Sequence, residues 1–149
     1  VILGIIKQAL SEPRAANGVL LDGVVRTIPQ AEGLSSVVDE LGTKVDAVLA
    51  FEIDDDEIVR RLAGRTVCDT CQTPYTGREP DSRCDKDGGT LIRRKDDEPE
   101  AIRNRLAVYQ KQTAPVLDWY REHGAKVAVI DAVGPVQDVT ARALGVLTS

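Results

Sequence analysis

Cys68-x-x-Cys71 and Cys84-x-x-Asp87 are two short loops separated by twelve residues, each able to turn two side chains back onto one ion. Two such loops close a tetrahedron around a cation. Three thiolates and a carboxylate suit zinc, a borderline cation. Four protein ligands leave no open position, so the site would be structural rather than catalytic. The pair Gly88-Gly89 after the second loop permits the tight backbone that a ligand loop needs. The competing reading is three free cysteines with an incidental Asp.

Arginines crowd the flanks of this stretch. Arg61 and Arg65 lead into it, and Arg94 and Arg105 follow it. Spaced guanidiniums can form a phosphate clamp, because each fork grips a phosphate bidentately. Phosphoryl transfer is mainly positioning and charge neutralisation, which such a clamp supplies. The alternative is solvated helix faces whose arginines pair with Asp and Glu, and charge alone favours it. His123 is the only histidine and stands beside Gly124. It reads as a helix cap or dipole partner rather than a catalyst.

The elements that must position these residues alternate. Residues 1–10 carry apolar side chains at helical spacing (Val1, Ile2, Ile5, Ile6, Ala9, Leu10) and stop near Ser11-Glu12-Pro13. Gly18-Val19-Leu20-Leu21-Asp22-Gly23 reads as a buried strand ending in a turn. Residues 29–41 predict a helix with Ala31, Leu34, Val37, Val38 and Leu41 on one face, and 45–53 a second buried strand. Asp54 with Glu57 predicts a capping box opening a helix through Ile58, Val59 and Leu62.

From 64 to 94 the texture changes: all three cysteines, four glycines, two prolines and few aliphatics. This stretch cannot build a core from its own apolar residues, and a metal would substitute for one. A long helix follows, with Asp97 as cap, Glu100 at N3 and Pro99 in the first turn. Its stripe runs Ile102, Leu106, Tyr109, Val116, Tyr120, and Pro115 should kink it. Residues 126–130 predict a third strand and 136–147 a closing helix. The order implies an α/β fold with a short parallel sheet.

Hydrophobic residues make up 42% and charged residues 29% of the 149, which fits a globular chain. The net charge is −5, and Phe51, Tyr75, Tyr109, Trp119 and Tyr120 are the only aromatics. Both facts argue against nucleic acid as partner. No apolar run approaches the roughly 20 residues of a membrane span. An odd number of cysteines in a ligand-like pattern predicts a reducing, cytoplasmic setting. The chain contains no Met and opens at Val1 inside an amphipathic pattern. That predicts a sequence truncated within a helix.

The motifs in their order carry a resemblance. Leu20-Leu21-Asp22-Gly23-x-x-Arg26-Thr27-x-Pro29-Gln30 resembles the signature of nucleoside monophosphate kinases. Gly64-Arg65, the two cysteine loops and Arg93-Arg94-Lys95-Asp96-Asp97 resemble the zinc lid of bacterial adenylate kinases. Arg103-Asn104-Arg105-Leu106, Tyr109 and Thr113-Ala114-Pro115 look like that family's next helix. The resemblance covers nearly the whole chain. It implies ATP + AMP ⇌ 2 ADP, adenine nucleotide homeostasis, magnesium with ATP, a structural lid zinc and a monomer when complete. It implies a partial core at 1–64 and 95–149, a remnant of the AMP-binding region near 1–30, and a lid at 65–94.

Residue by residue, the resemblance implies Gly23, Arg26 and Gln30 at the AMP site. It implies Arg65, Arg94 and Arg105 around the transferred phosphates, the last two also toward AMP. Arg61 would lie near the ATP base and phosphates, Pro74-Tyr75 at the lid's adenine side, and Gly134 would offer its carbonyl to adenine. Cys68, Cys71, Cys84 and Asp87 would be the lid ligands.

The chain departs from the family pattern in places. Val24-Val25 replace Phe-Pro, the loop between the cysteine pairs is shorter, and Gln72 stands where glycine is common. Gly-x-x-x-x-Gly-Lys-[Ser/Thr], the loop that cradles ATP phosphates, does not occur in these 149 residues, where no Gly directly precedes Lys. The core would then lack the strand that leads into that loop, leaving the strand at 18–22 and the strand at 45–53 apart or forcing them to pair. The rival from another class is a non-catalytic zinc-ribbon interaction module. The flanking arginines and the Asp22-Gly23-x-x-Arg26 segment argue against it.

Overall fold

The computed structural model describes residues 2–148; Val1, read above as part of the first stripe, lies outside them. Two compact units divide the chain: 1–52 with 109–149, and 53–108.

In the first unit, α1 (Ile2–Leu10) buries Ile6 and leaves Ile2 and Ile5 exposed. A 3-10 turn, Pro13–Ala15, follows. Next comes α2 (Ile28–Glu40), which has Pro29 in its first turn, where no N–H is required. It buries Ala31, Leu34, Val37 and Val38, four of the five positions its periodicity predicts. Ile6, Leu34 and Val38 form one cluster; Ala31, Val116 and Tyr120 form another.

Residues 18–22 are not a strand. Leu20 is 86% exposed, and the segment pairs with nothing. A strand is held by its neighbour's backbone groups, and an apolar run bounded by glycines cannot supply that neighbour itself. The sheet of this unit therefore has two strands rather than three. They are β1 (Ala47–Glu52) and, late in the chain, Lys126–Asp131, paired in parallel from Ala47↔Lys126 to Glu52↔Asp131. Neither of the arrangements expected for the strands at 18–22 and 45–53 occurs. Burial of the sheet is also incomplete: Val48 and Val127 pack toward the second cluster, while Phe51 and Val129 are half exposed.

The second unit opens with α3 (Asp55–Ala63). Asp54 takes the N-cap position, but its side chain caps nothing and no capping box forms. Glu57 instead binds Arg60 and Arg61, its i+3 and i+4 neighbours. A three-stranded antiparallel sheet follows: β2 (Arg65–Cys68) at the centre, β3 (Pro74–Thr76) and β4 (Leu91–Ile92) at the edges. The unit closes with a 3-10 turn, Lys95–Asp97, and α4 (Pro99–Val108), which packs on α3. The unit is thus wider than the stretch 64–94 in which composition changes. Asp97 does not cap α4: it lies in the 3-10 turn, and its carboxylate is used by Arg65.

Beyond α4 the first unit resumes. Tyr109–Thr113 is a π-helical turn, followed by α5 (Ala114–Glu122). The expected disturbance at Pro115 thus takes the form of a widened turn just ahead of the proline, whose missing N–H could not continue an α-helical ladder. His123 forms the C-cap of α5 and stacks on Trp119. The strand Lys126–Asp131 is β5, and α6 (Val136–Leu147) packs on it. No described helix is long and apolar enough to cross a membrane.

Candidate metal centre and arginine sites

The two cysteine loops are copies of one backbone turn. The Cys68 carbonyl accepts from Gln72 N at 3.1 Å, and Cys68 N donates to Thr73 O at 3.0 Å. The Cys84 carbonyl accepts from Gly88 N at 2.9 Å, and Cys84 N donates to Gly89 O at 2.8 Å. Backbone N–H groups also aim at sulfur. Thr70 N and Cys71 N lie 3.4 Å from Cys68 Sγ, and Lys86 N lies 3.4 Å from Cys84 Sγ. Donors arranged in this way favour the thiolate form, the form that binds metals.

The loops meet at one point. One ligand atom from each of Cys68, Cys71, Cys84 and Asp87 lies within 4.8 Å of all the others. Cys71 Sγ is 3.6 Å from Cys84 Sγ, and no disulfide is formed. Cys68 and Cys84 are buried, and Leu91 joins them in a small cluster. Gly89 makes the approach possible: a Cβ there would stand 2.6 Å from Cys68 Sγ. Asp69 ties the loops together by accepting from Thr90 N at 3.0 Å.

The acid–base balance of the cluster follows from these contacts. Hydrogen bonding from the Cys84 thiol and from Gly89 N holds the Asp87 carboxyl well below the usual carboxylate range. Burial pushes the Cys68 thiol up to about 11, against the pull of the Cys71 and Thr70 N–H groups. Burial also raises Cys84, but the Tyr75 hydroxyl and the N–H groups of Lys86 and Asp87 bring it below the ordinary thiol value. A closed Cys3Asp set with this spacing, donor chemistry and N–H support fits a tetrahedral metal ion.

Three of the four flanking arginines converge on the turn Lys95–Asp97. Arg65 holds Asp97 with two bonds, 2.9 and 2.6 Å, and the Asp97 side chain is only 3% exposed. Arg105 lies 4.0 Å from the same carboxylate and 3.5 Å from the Asp96 carbonyl. Arg94 holds Asp96 with bonds of 2.9 and 2.7 Å. Arg61 is separate, bonded to Glu57 at 2.7 Å. Each guanidinium thus has a carboxylate partner, the arrangement that charge alone favours, yet three of them are gathered at one turn. Sequence reasoning passed over Asp96 and Asp97 as partners; the signal was their position one residue beyond Arg93-Arg94, across Lys95.

In the first unit, Gly23, Arg26 and Gln30 come together. Gly23 takes a left-handed φ of 62°, and Arg26 Nε donates to its carbonyl at 3.0 Å. Arg26 N donates to Gln30 Oε1 at 2.7 Å. Thr113, at the end of the π turn, donates its hydroxyl to the Arg26 carbonyl at 3.0 Å; the motif Thr113-Ala114-Pro115 marked the residue but not this partner. Gly134, with φ 104°, lies between β5 and α6, where Arg142 binds the carbonyls of Asp131 and Val133. Pro74 and Tyr75 are in β3, with the Tyr75 hydroxyl turned toward Cys84.

A sequence model of the family described as adenylate kinase matches residues 1–125. The chain is 55% identical over 149 residues to an adenylate kinase of Gemmatimonas aurantiaca, covering 99% of this chain and 70% of that protein. It is 43% identical over 153 residues to one of Salinispora tropica, covering 100% of this chain and 70% of that protein. A Staphylococcus aureus adenylate kinase is 41% identical over 151 residues, with 99% and 70% covered.

Proposed function

The chain belongs to the adenylate kinase family, and from that premise we propose that its residues serve the transfer of a phosphoryl group between ATP and AMP, giving two ADP. A phosphate oxygen of AMP attacks the γ-phosphorus of ATP, and the bond to the β–γ bridging oxygen breaks. Catalysis of this kind rests on gripping the moving charge and aligning its two oxygens.

The observation that carries the reading is the turn around Arg26. Gly23, Arg26 and Gln30, the residues the signature implies for AMP, are knit to one another by backbone and side-chain bonds. Arg26 Nε is engaged while the rest of its fork is able to meet a phosphate. On the proposed reading, Arg94 and Arg105 hold the AMP-side phosphates, and Arg61 and Arg65 those of ATP, which enters with magnesium. Pro74, Tyr75 and Gly134 contact the ATP base, and residues 65–94 form a lid. Partners are ATP, AMP and ADP, in a cytoplasmic protein that is a monomer when complete. Zinc is the metal that fits the Cys3Asp set, and it would supply a structural cross-link where the unit lacks a large apolar core.

The arginines now held by Asp96 and Asp97 would exchange carboxylate for phosphate when nucleotide binds, since both are planar or tetrahedral oxyanions that accept the same fork. The 149 residues contain no Gly-Lys pair and so no loop of the usual kind for the β- and γ-phosphates. We therefore propose that this polypeptide by itself does not turn over. Calorimetric titration with a bisubstrate adenine nucleotide tests the binding reading. Saturable binding that weakens in Arg26→Ala is expected; no heat and no saturation would overturn it.

A further inference from the structure

The Tyr75 hydroxyl is committed within the cysteine unit. Its oxygen lies 3.2 Å from Cys84 Sγ, and Asp85 N donates to the same oxygen at 3.1 Å. The Asp85 bond occupies an acceptor site of the hydroxyl, leaving its one proton to point at sulfur. A metal-bound Cys84 is a thiolate with no proton to give, so the hydroxyl must be the donor. Arg78 steadies both ends of this arrangement. Its guanidinium lies 5.6 Å from the Tyr75 ring centroid and bonds the Asp85 carboxylate at 2.9 Å. Cys68 receives backbone N–H groups, and the exposed Cys71 has the Thr73 hydroxyl at 3.1 Å. Buried Cys84 is the sulfur with a phenol.

We infer that Tyr75 is a positioning residue of the metal centre, donating a hydrogen bond that holds the Cys84 thiolate in place and draws off part of its charge. Three thiolates and one carboxylate around a divalent ion leave two negative charges unbalanced. Hydrogen bonds to sulfur are the means by which a protein spreads such charge, and outer donors of this kind change metal affinity about 10–100-fold. This inference rests on reading Cys68, Cys71, Cys84 and Asp87 as a metal site.

The test uses the whole chain loaded with Co²⁺, whose thiolate charge-transfer band reports the sulfur lone pairs directly. Tyr75→Phe is expected to bind Co²⁺ about 10-fold more weakly in competition with a chelator. Its band should move to longer wavelength, because a sulfur without its donor gives up charge more easily. Replacing the tyrosines with 3-fluorotyrosine, a stronger donor of almost the same size, should move the band the other way and does not depend on the Phe variant folding. A wild-type band that neither change moves, with Tyr75→Phe affinity within about two-fold of wild type, overturns the inference and leaves the metal site standing. A wild-type chain with no cobalt–thiolate band overturns both.

Discussion

Gln72 and Gly88 occupy equivalent places in the two cysteine loops, each four residues after a buried cysteine whose carbonyl its N–H reaches. Both are left-handed, at φ 59° and 75°. Glycine takes this conformation freely, whereas an L side chain pays about 1–2 kcal/mol. Gln72 recovers part of that by donating from Nε2 to the Asp69 carbonyl at 3.1 Å. Gly88→Ala should therefore cost about 1–2 kcal/mol. Gln72→Gly should gain roughly 0.5 kcal/mol once glycine's greater freedom in the unfolded chain is subtracted. Urea titration of the metal-loaded chain measures both. Equal, negligible effects would show that the loops do not need this geometry.

If the Cys3Asp set holds metal as proposed, elemental analysis should find about one zinc per chain, with a contribution to folding on the order of 10 kcal/mol. Asp87→Cys should keep or tighten the site and Cys84→Ser should loosen it. Gly89→Ala should weaken it as well, because the new Cβ meets Cys68 Sγ at 2.6 Å. Metal-free protein with three freely titrating thiols under native conditions would contradict the assignment.

Arg65 and Arg94 make similar bidentate pairs in different surroundings, so they should differ in stability. Arg65→Ala removes the close partner of the buried Asp97 carboxylate and leaves Arg105 at 4.0 Å, and should cost about 3 kcal/mol. The Arg94–Asp96 pair is about half exposed, and Arg94→Ala should cost less than about 1 kcal/mol. In a chain completed with a phosphate-binding loop from a relative, Arg94→Ala and Arg105→Ala should depress kcat more than they raise KM for ATP. Arg26→Ala should mainly weaken AMP. Small, equal effects of all three on turnover would make them surface charge only.

Glu57 offers a pH test. Hydrogen bonds from Arg60 and Arg61 bring its carboxyl from 4.5 down to about 2. A folded-state value below the unfolded one means its contribution is present above about pH 4.5 and lost as pH falls through about 2. The stability difference between wild type and Glu57→Gln should shrink across that window. A difference that stays constant from pH 5 to 2 would show that Glu57 is not held by the two arginines.

A coupled assay of ADP formation, on protein free of host kinase, should find no turnover from the 149-residue chain. Rates near the roughly 10–1000 s⁻¹ of ordinary enzymes would mean that another group cradles the ATP phosphates. Activity restored by adding a peptide with the usual phosphate-binding loop and its strand would support the proposed reading.

Much of the site was legible because its parts are local. Cys68, Cys71, Cys84 and Asp87 sit in two short loops marked by their spacing and by Gly88-Gly89, and α2 follows from its apolar period. Gly23, Arg26 and Gln30 belong to one turn and the first residues of a helix. Tyr75 was legible only as a nucleotide contact, because nothing in Pro74-Tyr75 reveals that Cys84, nine residues on, lies against its hydroxyl.

The sequence by itself therefore picked out the four residues of the Cys3Asp cluster, the buried face of α2, and the family. The tertiary structure decided the partners of groups far apart in the chain. Asp97 looked like a helix cap until Arg65, 32 residues earlier, claimed its carboxylate. Glu57 looked like half of a capping box until Arg60 and Arg61 competed for it. Val19-Leu20-Leu21 has the composition of a strand but no neighbour, whereas β1 finds β5 across a separation from Ala47 to Lys126. Periodicity and turn chemistry act over a few residues and are written in the local sequence. Hydrogen-bond and charge partners are chosen by which groups the packed chain brings within about 3 Å, and no local pattern carries that choice.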